Sequence, residues 1–406
     1  MSSVSIAGYF PWSRVVIAGQ SVSAEADLAV IDVRPDRRFA PLCSRCSQSA
    51  SRIASEEVRS VRDLDFASAR VHLRLSYRKV YCPACGAVVV EGLELVERWQ
   101  RVTRRLARLI HQLCKVMTVS DVAAHLGLDW KTVKNIDKGF LEERYGETRC
   151  EGLRLLAVDE IALRKGHNYM TVVIDYETGR VVWMGQGRTK ETLAGFFAEM
   201  TEDQKASIEA VAMDMWEPYV QAVGEALPGA KIVFDLFHVV AAYGKVIDRV
   251  RISELSKATF PHRALIRGTK YLLLKRHVTE PAEREHLREL LRVNETLSTV
   301  YILKDMLVRI WRYRYRAWAA RALAEWCALA RTVPHPELSR FARTLERYRE
   351  GILNHCEFPI HNSKLEGVNN KIKLIKRRAY GYHDAHYFVL KVKQAFDPES
   401  PALFGR

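Results

Sequence analysis

"LRLLAVDEIAL" (153–163) opens the run that decides the fold of this 406-residue chain. It is followed by "NYMTVVIDYETGRVVWMGQG" (168–187), "TKETLAGFFAEM" (189–200), "IEAVAMDMW" (208–216), "EPYVQAVGEALPG" (217–229) and "AKIVFDLFHVV" (230–240). Short β-branched runs bounded by turn residues read as strands, and the segments with helical apolar spacing read as helices. The order is therefore three strands, helix, strand, helix, strand. Asp175 falls in the hairpin turn "IDYETG" and reads as structural.

That is the RNase H order, in which the first and fourth strands are neighbours in the sheet. Asp159 ends the first and Asp214 ends the fourth, so the two carboxylates face a shared point. A strand-end Asp also serves as a turn former or helix cap, so neither carries the reading alone. Asp235, with His238 three residues on, ends the next strand and competes with Asp214. The adjacency of the first and fourth strands favours Asp214 as the direct ligand, leaving Asp235 and His238 as accessory candidates. Glu160 beside Asp159 also reads as structural, with an outer-shell role as its alternative.

The third acid must come from a later helix. "NSKLEGVNNKIKLIKRRAYGY" (362–382) places Glu366 in an otherwise basic helix. Leu365, Val368, Ile372, Ile375 and Ala379 form its apolar stripe, with Glu366, Asn369, Asn370, Lys373 and Arg377 on one polar flank. The alternative is a solvated amphipathic helix whose Glu is balanced by Lys. Three converging carboxylates suit two Mg²⁺ (or Mn²⁺) ions, hard cations that prefer oxygen. Such a pair activates a water or 3′-hydroxyl on one side of a phosphodiester and stabilises the leaving oxygen on the other. Lys371, Lys373, Lys376, Arg377 and Arg378 adjoin Glu366 and would offset the phosphates.

Nearer the N-terminus, "CSRC" (43–46) and "CPAC" (82–85) are two Cys-x-x-Cys knuckles joined by strand-like sequence. Cys43, Cys46, Cys82 and Cys85 together would close a tetrahedral Zn²⁺ site with no open position, a structural zinc ribbon. Gly86 suits the turn after the second knuckle; the first lacks that glycine. Cys114, Cys150, Cys327 and Cys356 read as reduced, mostly packed thiols. From Val119, "VSDVAAHLGLDWKTVKNIDKGFL" gives a short helix capped by Ser120 or Asp121, a break at Gly127, and a second helix capped by Asp129. This is a helix-turn-helix pattern. Trp130, Lys131, Thr132 and Lys134 project from the leading end of the recognition helix toward a major groove.

Composition agrees. With 63 Lys and Arg against 48 Asp and Glu, the net charge of +15 favours a polyanionic partner. No apolar run approaches the roughly 18 residues needed to span a bilayer, and the first residues lack signal-peptide features, so a cytoplasmic protein is expected. Between about Ala241 and Asn354 the chain is helix-forming throughout. There Leu307, Trp311, Tyr315, Trp318, Ala322 and Trp326 suggest one continuous core stripe, with stacking of some of these rings on an unpaired DNA base as the alternative, since Arg309, Arg312, Arg316 and Arg321 are interleaved with them. Pro334 and Pro336 mark a loop.

Together these segments resemble the bacterial DDE transposases of the ISL-three insertion-sequence group, over almost the whole chain. The resemblance rests on the two knuckles, "AVDEIALRKGHNYMTVVID", "AMDMWEPYVQAV", "FDLFHVV" and "NSKLEGVNNKIKLIKRRAYGYHD". It implies Asp159, Asp214 and Glu366 as the catalytic triad. Asp235 with His238 resembles a signature that follows the second catalytic Asp in related superfamilies. It also implies assembly on paired transposon ends, cleavage at inverted repeats and strand transfer into target DNA; a homodimer is expected only from the need to pair two ends. The expected fold is multidomain α+β. Its parts are an N-terminal zinc-ribbon region (1–97), a helix-turn-helix domain (98–149), an RNase H-like α/β core (150–240 and 354–396) interrupted by an all-helical insertion (241–353), and a short mobile tail (397–406). Double-stranded DNA is the expected partner, in a bacterial nucleoid, with no membrane and no small-molecule substrate. A structure-selective nuclease without strand transfer, or an inactive DNA-binding regulator, is the alternative.

Overall fold

The architecture is that of a computed structural model, described for residues 10, 12–23, 25, 27–50, 52–97, 100–164, 168–360 and 363–399. The chain divides into two compact units, one up to Arg144 and one from Tyr145.

In the first unit, β1 (Val15–Ser23), β2 (Leu28–Pro35), β3 (Arg52–Arg62) and β4 (Arg70–Cys82) form a sheet in the order β1-β2-β4-β3, with β5 (Ala87–Val90) paired to the end of β4. β4 changes its buried face halfway along. Val71, Leu73 and Leu75 feed one core, whereas Val80 and Cys82 feed the thiol cluster. Because side chains alternate along a strand, one segment serves both cores only through such a phase change, and β3 carries an irregularity between Ile53 and Ser55 beside it.

Three helices follow: α1 (Arg104–Val116), α2 (Val119–Leu126) and α3 (Trp130–Tyr145). Their shared core includes Ile110, Val122, Leu126, Val133 and Ile136. Thr118 caps α2, not Ser120 or Asp121 as expected; Asp121 sits at the third helical position and returns a bond to the cap backbone. This reciprocal arrangement satisfies two exposed N–H groups at once, which a cap one turn later would leave open. Gly127 takes a left-handed conformation, φ 61°, and a Cβ there would meet the Arg70 guanidinium at 2.6 Å. Buried Asp63 accepts from Thr103 Oγ1 at 2.6 Å and Arg105 Nε at 2.7 Å, tying α1 to the sheet.

The second unit is built on β6 (Leu155–Arg164), β7 (Asn168–Asp175), β8 (Val181–Gln186), α4 (Lys190–Ala198), α5 (Glu202–Ala206), β9 (Ala210–Met213), α6 (Glu217–Ala226) and β10 (Lys231–Phe234). The sheet order is β10-β9-β6-β7-β8, with β6, β9 and β10 parallel. It is the expected order, and it sets the first strand beside the fourth.

The helical region that follows comprises α7 (Leu236–Lys257), α8 (Phe260–Ile266), α9 (Lys270–Leu274), α10 (Pro281–Val293), α11 (Glu295–Ile310), α12 (Arg316–Thr332), α13 (Pro336–Arg347) and α14 (Arg349–Leu353). α7 runs unbroken through position 241, because Asp235 caps it and Val239, Tyr243, Val246 and Val250 keep one apolar face buried. Its core is aromatic. Trp326 is fully buried, donates from Nε1 to the Leu303 carbonyl at 2.7 Å, and meets Tyr243 and Phe341 edge-on. A 3-10 turn, Asn354–Cys356, leads back to the sheet, where α15 (Ser363–Arg378) and α16 (Ala385–Ala395) pack.

The expected continuous stripe is interrupted. Leu307 and Trp326 are buried, but α11 stops at Ile310 and α12 starts at Arg316, leaving Tyr315 and Trp318 exposed. The break is held by a distant turn: His355 stacks on Trp311, and His355 and Cys356 both bond the Tyr313 carbonyl, capturing the backbone outside the helix.

Candidate active site

The sheet of the second unit has two differently covered faces. Leu156, Val158, Val211 and Met213 point to the core shared with the helical region. Ala157, Ile161 and Ala212 point to Leu365, Val368 and Ile372 of α15. Ala157 pairs with Ala212 as the last matched position of β6 and β9. Asp159 and Asp214 each lie two residues further on, so period-two alternation puts both on the α15 side just past the end of this pairing. Asp214 follows the end of β9 as expected, but Asp159 does not end its strand: β6 continues to Arg164 because β7 still pairs with it there.

Their electrostatics show the proximity. The Asp214 carboxyl is pushed up to about 6, first by burial and then by the charges of Glu160 and Asp159, with His238 opposing. Asp159 accepts from the Glu160 backbone N–H at 2.7 Å through Oδ1 and from Asn369 Nδ2 at 2.6 Å through Oδ2. An all-oxygen cluster of like charges in a half-buried setting is a donor set suited to a hard divalent cation.

Glu366 lies in the first turn of α15, exposed. Asn369, which touches Asp159, is three residues later, one turn along the same flank. Glu366 itself does not converge with Asp159 and Asp214: no group of three acidic side chains lies within 4.8 Å among the described residues. The sequence reading placed Asn369 on that polar flank but gave it no contact.

Asp235 is also at a strand end, but its carboxylate caps α7, accepting from the Phe237 N–H at 3.1 Å. His238 Nε2 lies 3.8 Å from Asp235 Oδ2 and acts electrostatically on Asp214.

The cations after Glu366 separate into two sets. Lys371 folds onto the end of α16, donating to the Ala395 carbonyl and lying 4.4 Å from the Phe396 ring centre. Lys376 reaches the Ala162 carbonyl at 3.4 Å. Lys373, Arg377 and Arg378 are exposed, and their side chains have no acidic partner among the described residues.

Arg188 belongs to the site although no sequence motif marks it. It pairs with Glu160 at 3.3 Å and lies between the Tyr169 and Trp216 rings, 4.2 and 5.0 Å from their centres. Trp216 Nε1 donates to its carbonyl at 3.1 Å, fixing the backbone too. The only sequence signal is an Arg directly after the glycine, Gly187, that follows β8.

In the first unit, the four knuckle thiols converge to within 4.8 Å of one another, the only such group of metal-ligating side chains among the described residues. Cys43 and Cys85 sulfurs are 3.8 Å apart and Cys46 and Cys82 sulfurs 3.6 Å. Four sulfurs at about 2.3 Å around a tetrahedral Zn²⁺ would be roughly 3.75 Å apart, so the cluster fits the ion. Ser47 occupies the place of the missing glycine and takes φ 59°, matching φ 60° at Gly86. The first knuckle therefore makes the same turn at a small conformational cost.

At the leading end of α3, Asp129 Oδ1 accepts from the backbone N–H groups of Lys131 and Thr132, at 2.9 and 3.3 Å. Trp130 and Lys131 are exposed, while Thr132 and Lys134 are half-buried. No helix among the described residues is long and apolar enough to cross a membrane.

Three family models match the chain: one described as transposase over residues 156–392, one as the helix-turn-helix domain of transposase family ISL3 over 91–140, and one as the zinc-finger of transposase IS204/IS1001/IS1096/IS1165 over 40–85. The chain is 42% identical to the transposase for insertion sequence element IS1001 of Bordetella parapertussis, covering 87% of this chain and 88% of that protein. It is 25% identical to the transposase for insertion sequence element IS1557 of Mycobacterium tuberculosis, covering 92% and 90%.

Proposed function

Because the chain belongs to the ISL3 family of insertion-sequence transposases, we propose that Asp159, Asp214 and Glu366 form its catalytic centre and hold two Mg²⁺ (or Mn²⁺) ions. The observation that carries this reading is the pair of aspartates just past the matched ends of the adjacent parallel strands β6 and β9, with α15 joined to Asp159 through Asn369. Bound there, the ions would activate a water or the 3′-hydroxyl of the DNA and offset charge on the leaving oxygen. The chain's own residues do the rest. Asp214 gives up its proton on loading, Asn369 orients Asp159, and His238 offsets the charge beside Asp214. Lys373, Arg377 and Arg378 take the DNA backbone phosphates. Lys371 and Lys376, which the sequence reading grouped with them, serve instead to fasten α15 to α16 and β6.

The substrate is double-stranded DNA at the terminal inverted repeats. The helix-turn-helix binds it through Trp130, Lys131, Thr132 and Lys134, and the zinc ribbon holds its unit folded. Cleaved 3′-hydroxyls are transferred to target DNA by a homodimer that pairs the two ends, in the bacterial cytoplasm at the nucleoid. We assign residues 1–97 to the ribbon region, 98–149 to end binding and 150–396 to the catalytic core with its insertion, whose first helix starts at Leu236, not 241. The test is joining of a pre-nicked end bearing a free 3′-hydroxyl to a plasmid. Metal-dependent joining that disappears in Asp214→Ala supports the reading. Nicking without joining leaves a nuclease, and end binding without either leaves a regulator.

A further inference from the structure

The connection between α11 and α12 has the sequence "WRYRYRAW" (311–318), alternating aromatic and basic residues outside any helix for its first five positions. Tyr313, Tyr315 and Trp318 are 40%, 75% and 57% exposed. Three large rings in water along one short segment are unusual for a surface that has no partner. They are not core residues displaced by loose packing. The buried stripe of α12 runs through Ala319, Leu323, Trp326, Cys327 and Ala330, and Trp318 lies off it.

The backbone beneath these rings is pinned. His355 stacks on Trp311 at 5.6 Å, and His355 Nε2 and Cys356 Sγ bond the Tyr313 carbonyl at 3.2 and 3.4 Å. Arg316 reaches Asn354 Oδ1 at 3.0 Å, and Asn354 Nδ2 donates to the Ile232 carbonyl of β10 at 2.8 Å. The segment is thus fastened to a core strand and to the turn that leads into α15. Arg312 and Arg314 stand exposed, with no acidic partner among the described residues.

We propose that the 311–318 connection binds single-stranded DNA, stacking unpaired bases on Tyr313, Tyr315 and Trp318 while Arg312 and Arg314 contact the phosphates. Rings give sequence-tolerant stacking because every base has a π-face, and interleaved cations follow the backbone. Charge complementarity selects this occupant: a protein surface that buried Arg312 and Arg314 would have to supply carboxylates in the same alternation. The inference rests on the transposase reading only for the source of the strand, an end frayed or nicked during cleavage.

The test is fluorescence anisotropy of the full-length protein with two labelled single-stranded oligonucleotides, one of mixed sequence and one carrying abasic sites at its centre. The wild type should prefer the base-bearing strand by about tenfold. The triple variant Tyr313→Ala, Tyr315→Ala, Trp318→Ala should lose that preference while binding duplex as before. Arg312→Ala with Arg314→Ala should weaken both strands alike. Equal wild-type affinity for the two oligonucleotides, or a preference retained by the triple variant, overturns the proposal. So does a retained preference accompanied by a change in oligomeric state on light scattering, which would assign the rings to contacts between copies. None of these outcomes depends on strand transfer, so failure of the catalytic reading would be seen separately.

Discussion

Asn369 on α15 donates a 2.6 Å hydrogen bond from Nδ2 to Oδ2 of Asp159 on β6. It is a direct polar contact between the helix that carries Glu366 and an acid within β6, and it fixes the helix one turn from Glu366. Partners that orient a metal ligand typically contribute about 10–100-fold to metal affinity or activity. Asn369→Ala should therefore raise the Mg²⁺ concentration needed for end nicking by that order and leave duplex binding intact. An unchanged Mg²⁺ dependence would remove Asn369 from the site.

The raised Asp214 carboxyl gives a pH signature in metal-free protein. Its folded value is near 6 against an ordinary 3.8, so the folded state holds the proton more tightly than the unfolded chain. The associated stability is fully present below about 3.8 and is lost as pH rises through about 6. The melting temperature should fall across that window, and Asp214→Asn should flatten the fall. In the same window, a divalent ion competes with the proton, so apparent Mg²⁺ affinity should drop as pH decreases below about 6. Calorimetry at a series of pH values measures both.

The zinc ribbon and helix-turn-helix form one unit, so its thiols should control end binding without touching DNA. Cys82→Ser should release Zn²⁺, lower the first unit's unfolding temperature and abolish binding of duplex ends. Binding that survived loss of the metal would separate ribbon from reader.

On α3, Lys131→Ala or Lys134→Ala should weaken duplex binding and reduce the slope of log affinity against log salt by about 1 for each phosphate no longer neutralised. A slope identical to wild type in both would move the recognition surface elsewhere.

The two tryptophans of α12 make opposite predictions for stability. Trp326→Ala should cost about 3–5 kcal/mol, because the ring is fully buried against Tyr243 and Phe341. Trp318→Ala should lie within about 0.5 kcal/mol of wild type. Denaturant midpoints distinguish them directly.

Much of this was legible because it follows from local periodicity. The strand order around Asp159 and Asp214, the four thiols and the recognition helix are written in spacings of two, three and four residues. What could not be read depends on contacts between distant segments. Asn369 meets Asp159 across 210 positions, and Arg188 gains its place from Tyr169, Trp216 and Glu160, which share no motif with it. The stripe from Leu307 to Trp326 kept helical spacing across a break, because His355 and Cys356, far along the chain, hold the Tyr313 carbonyl. Lys371 and Lys376 looked like phosphate contacts by charge alone, yet their amines are engaged by carbonyls of neighbouring elements. Ser120 and Asp121 both suit a cap by residue type, yet the helix begins ahead of both, at Val119, with Thr118 as its cap.

The most direct test of the central claim compares Asp214→Ala with Asp235→Asn in plasmid joining of a pre-nicked end, with Mg²⁺ binding followed by calorimetry. Asparagine retains the capping geometry of position 235. Loss of both joining and Mg²⁺ binding in Asp214→Ala, with Mg²⁺ binding kept in Asp235→Asn, is the predicted result. Loss of Mg²⁺ binding in Asp235→Asn while Asp214→Ala still binds and joins would contradict the account.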